Sequence, residues 1–74
     1  MRSPLCIAGT KVTYKDKQYI VANISYDKRY DEFIYYLVKA NKYNKSKVFG
    51  PYDEILPEEV FERDVRPIAW GYKK

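Results

Sequence analysis

Histidine is absent from these 74 residues, and cysteine occurs once, as Cys6. The first absence removes the commonest general base and metal ligand, and with them every Ser-His or Cys-His nucleophile pair. A lone thiol can form neither an internal disulfide nor a structural zinc site. Within "LCIA", Cys6 reads as a small buried hydrophobe. Only three glycines occur, Gly9, Gly50 and Gly71, too few and too scattered for a phosphate-cradling loop. No run approaches the roughly 18 apolar residues that a membrane-spanning helix needs, and the opening "MRSPLCIAGT" lacks the apolar core of a secretory signal. The expectation is a non-enzymatic protein of the reducing cytoplasm, with no membrane association, metal or cofactor.

Hydrophobic residues make up 46% of the chain, and nine of them are tyrosines, which bring apolar area together with a hydroxyl that needs a partner. A chain this short buries only about 60 to 65% of its unfolded surface, so residues 1–74 form one domain, with an ordered core expected over about 10–70. The net charge is +4 and unevenly spread. Residues 1–48 hold ten basic and four acidic groups, whereas residues 49–74 hold four basic and six acidic ones. Charge segregated in this way bears on partner choice rather than on fold.

Strand chemistry begins at "KVTYKDKQYIVANISY", residues 11–26, with its β-branched and aromatic alternation. The polar break at Lys15-Asp16-Lys17 predicts a hairpin, and the lack of glycine there favours a loop of three or four residues over a tight primed turn. Ile20, Ala22, Ile24 and Tyr26 are the expected core face. "DKRYDE", residues 27–32, has five charges in six residues and reads as a solvated loop. "FIYYLVKA" is apolar on both faces, with Phe33, Tyr35 and Leu37 on one and Ile34, Tyr36, Val38 and Ala40 on the other. A central strand is favoured over a helix here. "KVFGPY", residues 47–52, is the expected fourth strand. In "ILPEEVFERD", Pro57 suits the first helical position and Glu58 and Glu59 the positive end of a short helix. "VRPIAW" closes the chain as a strand that Pro67 confines to an edge or bulge.

This order of elements resembles the small SH3-like barrels, including the Tudor and KOW types, with "FGPY…LPEEVFERDVRPI" as the part most like them. The resemblance implies an all-β fold: a small five-stranded antiparallel barrel with one short helical turn before the last strand. The Ala-Leu-Tyr-Asp-Tyr run of peptide-binding SH3 domains and the KOW glycine pattern are both missing, so neither ligand class carries over by residue. A methyl-lysine cage drawn from Tyr14, Tyr19 and Tyr43 is a further option, which the neighbouring lysines oppose.

The candidate site is "KANKYNKSK". Lys39, Lys42, Lys45 and Lys47 would meet phosphates while Tyr43 stacks on a base, with Lys28 and Arg29 as auxiliaries. A continuous footprint would need Tyr19 or Tyr35 between the two basic ends. The plainer reading is a soluble hairpin tip whose lysines discourage aggregation. The competing function is a protein-interaction adaptor, a bacterial or phage accessory protein, docking through an aromatic strand face or the acidic segment 53–64. Nucleic acid and a larger protein are therefore the two partner classes that the sequence admits.

Overall fold

A computed structural model describes residues 3–44 and 49–69. The chain forms β1 (Lys11–Tyr14), β2 (Lys17–Asp27), β3 (Glu32–Lys39), β4 (Glu54–Pro57), α1 (Glu58–Asp64) and β5 (Arg66–Ala69). The strands make one five-stranded antiparallel sheet in the order β4-β3-β2-β1-β5. The sheet is not closed, and β4 and β5 are its edges. Among the described residues no helix is long and apolar enough to cross a membrane.

β1 and β2 meet through a turn of two residues, Lys15 and Asp16, both at positive φ (52° and 63°), with Tyr14 opposite Lys17. The longer loop expected there does not form. Two left-handed residues match the right-handed twist of the flanking strands, and Asp tolerates that conformation better than most side chains. The Lys15 ammonium lies 5.3 Å from the centre of the Tyr14 ring, a contact that offsets part of the strain at Lys15.

The inward face of β2 also differs from expectation. Tyr19 and Val21 enter the core in place of Ile20, Ala22 is buried as expected, and a bulge between Val21 and Asn23 restores Ile24 to the core side opposite Tyr35. One inserted residue exchanges the two faces of a strand, so Ile20 and Ile24 cannot share a side. Tyr26 remains 47% exposed, tilted against Phe33 at 5.2 Å.

β3 is the central strand that its two apolar faces require. Tyr35 and Leu37 point into the core, and Ile34, Tyr36 and Val38 occupy the outer face. Residues 49–52 are not a strand, and residues 47 and 48 of that expected element lie outside the described residues. The fourth strand comes later, at Glu54–Pro57, where Leu56 is buried opposite Tyr35. Pro57 disfavours helical backbone at Leu56, which extends the segment. Pro57 itself, at φ −70° and ψ 162°, is the residue preceding α1 rather than its first residue.

Glu58 and Glu59 occupy the first turn of the seven-residue helix α1, and Phe61 is its buried anchor. The Phe61 ring stacks on Tyr35 at 3.9 Å and 13° between planes. Such a pair contributes about 0.5–1.5 kcal/mol beyond its buried area. The Tyr35 hydroxyl in turn accepts the Leu5 N–H at 2.9 Å, which draws the N-terminal segment onto the core. Cys6 is fully buried beside it, and burial pushes its thiol pKa up, away from thiolate chemistry. β5 pairs only with β1, so Pro67 sits on an edge strand as its missing N–H demands.

Candidate nucleic-acid interface

The expected lysines emerge where β3 ends. Lys39 is the last residue of β3, and the chain turns immediately, with the Lys42 N–H donating to the Lys39 carbonyl at 2.9 Å. The Ala40 N–H donates to the Gln18 carbonyl at 3.0 Å, which ties this turn to the start of β2. The result is a shallow cavity of about 350 Å3 lined by Lys17, Gln18, Lys39, Ala40 and Asn41. Two lysines and two amide-bearing residues therefore contribute to the lining of one open cavity. Donors of this kind suit phosphate oxygens, with lysine acting as a point charge.

Lys17 was not among the residues expected from the sequence. Its place beside Lys39 follows from the register of β2 on β3: Tyr19 lies opposite Lys39, and Lys17 starts β2 two residues earlier.

Asp53 organises the far side of the cradle. Its N–H donates to the Leu37 carbonyl at 2.8 Å, and its carboxylate accepts the Lys39 N–H at 2.8 Å and the Lys42 ammonium at 3.3 Å. These contacts, the backbone N–H of Lys39 foremost, hold the Asp53 pKa below its ordinary value. Lys42 thus arrives partly neutralised, whereas Lys17 and Lys39 line the cavity. Tyr43 is half-buried, and Lys45 and Lys47 lie outside the described residues.

Lys28 and Arg29 occupy the β2–β3 connection at the opposite end of the sheet. Eleven residues of β2 separate the two ends, a span of roughly 30 Å at about 3.3 Å per residue. Arg29 is turned back on its own loop, with Nη2 3.3 Å from the Asp27 carboxylate and its guanidinium 5.5 Å from the Tyr30 ring centre. The Arg29 side-chain hydrogen bonds lower the Asp27 pKa. Asp31, hydrogen-bonded by the Tyr26 hydroxyl, and Glu32 add further acid. This end is of mixed charge and is not continuous with the lysine cradle.

Tyr19 and Tyr35 do not bridge the two ends, because both are buried in the core. Tyr14 and Tyr19 pack on one another there at 6.2 Å, so they do not form an open cage with Tyr43. Among the described residues, Tyr26 of β2 and Tyr30 of the β2–β3 connection are the exposed tyrosines, while Tyr36, on the outer face of β3, is half-buried with the Tyr52 ring leaning on it at 4.8 Å.

Much of the acidic segment is engaged within the fold. Glu58 Oε1 accepts the Phe33 N–H at 2.9 Å, Asp53 caps the lysine turn, and Asp64 pairs with Arg63 at 3.0 Å. Among the described residues no three His, Cys, Asp or Glu side chains cluster as a metal site would require. Comparison of the chain with protein-family models, curated proteins and solved structures finds no match.

Proposed function

We propose that this chain is a non-enzymatic binding module that takes nucleic acid at the lysine-bearing end of its sheet. The observation that carries the reading is the presence of both Lys17 and Lys39 in the lining of one open cavity, with Lys42 held in the adjoining turn by Asp53. Cations gathered by two neighbouring connections form a fixed rim for phosphates, and binding driven by them releases counterions. Lys45 and Lys47 follow in sequence and belong to the same basic stretch. Lys28 and Arg29 lie too far away to share a short footprint.

The architecture we propose for the module is SH3-like. Its support is the strand order, in which β1 is flanked by β2 and β5 and a short helix stands between the fourth and fifth strands. The adaptor reading finds less room in the acidic segment, because Asp53, Glu58 and Asp64 already serve the fold.

An amide-resolved NMR titration with a short oligonucleotide at low salt tests the site. The expected result is concerted shifts at Lys17, Gln18 and Lys39 to Lys42, with residues 28–30 nearly unmoved. Absence of binding, or shifts centred on residues 28–30, would refute the assignment.

A further inference from the structure

Strand alternation places Lys17 and Tyr19 of β2 and Leu37 and Lys39 of β3 on the face that carries Val21 and Tyr35, with Tyr14 of β1 packed beside Tyr19. Tyr14 and Tyr19 are only 6% and 3% exposed, so they close the floor at this end of the sheet. Lys15 is the exposed residue that follows Tyr14, and its ammonium is turned back over the Tyr14 ring at 5.3 Å. Burial raises the Tyr19 pKa, the Glu54 and Asp53 carboxylates add to the rise, and the Lys15 ammonium opposes it. Lys15 is therefore within electrostatic reach of the ring that lies opposite Lys39. A third cation thus stands on the face to which Lys17 and Lys39 belong.

Resting on the reading above, we propose that Lys15 is a third phosphate-binding residue and that the nucleic-acid backbone crosses the ends of β3, β2 and β1 in turn, past Lys39, Lys17 and Lys15. Neighbouring strands are about 4.8 Å apart, so this path is about 10 Å long. It takes about three consecutive phosphates of a strand that advances about 3.4 Å per charge. The acids at this end favour that direction. Glu54 begins β4 opposite Leu37, and Asp53 before it holds Lys42, so a backbone turning toward β4 meets two carboxylates. Toward β1, the Asp64 carboxylate is already bound by Arg63 at 3.0 Å, and Asp16 at the tip of the turn is flanked by Lys15 and Lys17. A backbone running along the strands instead would leave the three lysines and approach Asp27 and Glu32 at the far end.

The test uses the full chain and fluorescence anisotropy over a range of salt, with a labelled single-stranded oligothymidine of roughly 8 to 16 nucleotides. Lys15→Gln is expected to weaken binding at low salt by about two- to fivefold, the worth of one exposed ion pair, and to flatten the slope of log K against log salt by about 0.7. Lys11→Gln removes the same charge from the other end of β1 and is expected to leave the slope nearly unaltered. Lys15→Arg, which keeps the cation and its contact with Tyr14, is expected to retain affinity. A readout that needs no variant is acetylation of lysine amines in the unaltered protein, followed by mass spectrometry. Saturating oligonucleotide is expected to slow the reaction at Lys15, Lys17 and Lys39 but not at Lys11 or Lys28. Acetylation of Lys15 at its free rate while Lys17 and Lys39 are protected, or equal flattening by Lys11→Gln, overturns the inference while leaving lysine-dependent binding intact. Loss of all binding in the unaltered protein removes both readings.

Discussion

Asp53 joins the two halves of the chain's charge pattern: an acid from the acidic segment accepts the amide of Lys39 through one oxygen and the ammonium of Lys42 through the other. Its pKa is lower in the folded protein than in the unfolded chain, chiefly because the Lys39 N–H favours the charged carboxylate. The stabilisation that follows is fully present above the ordinary aspartate range and is lost as pH falls through the depressed folded value. The Lys39 amide resonance is therefore expected to titrate over the acid range in which Asp53 takes up its proton, with its midpoint below the ordinary aspartate value. Asp53→Asn abolishes that titration and, by removing the carboxylate that opposes the Lys42 ammonium, raises oligonucleotide affinity by up to about fivefold, the worth of an exposed ion pair. A Lys39 amide insensitive to pH across this range would mean that the contact is not made in solution.

Among the elements, those whose pattern leaves one solution are legible in the sequence. β3, apolar on both sides from Phe33 to Val38, has nowhere to go but the middle of a sheet, and Pro67 places β5 on an edge. Features decided by a single residue are not legible. Nothing in "YKDKQ" announces that Lys15 and Asp16 both take positive φ, and the bulge at Ala22 moves Ile24 to the side that Tyr19 and Val21 occupy. The late start of β4 is of the same kind: burying Leu56 opposite Tyr35 draws into the sheet a residue that reads as the approach to a helix. These points shift the candidate site as well, since the bulge helps set the register that brings Lys17 near Lys39, and the face assignment buries Tyr35 in the core and leaves Tyr36 on the outer face. Asp16, at φ 63°, offers a direct check. Glycine adopts this conformation without the Cβ penalty, so Asp16→Gly is expected to stabilise the protein by about 0.5–1 kcal/mol, a rise of roughly 2 to 8 °C in Tm for a domain of this size. A fall in Tm in a calorimetric scan would contradict the primed turn.

At the scale of the molecule, the fold converts a modest net charge of +4 into a directed one. Several acids are consumed internally by Phe33, Lys39 and Arg63, and the β2–β3 connection balances its own cations against Asp27, Asp31 and Glu32. Lys17 and Lys39 are left to define the polar end of the sheet, one strand length away. Sequence composition alone shows the segregation but not which cations end up opposed by neighbouring acids. The salt dependence of oligonucleotide affinity measures this directly. For the single strand, changing Lys17, Lys39 and Lys42 together to Gln is expected to flatten the slope of log K against log salt by roughly 2, because each phosphate contact contributes about 0.7. Changing Lys28 and Arg29 to Gln should leave the slope nearly unaltered. A slope unchanged by the first set, or flattened equally by the second, would contradict a cation rim built at the end of β3.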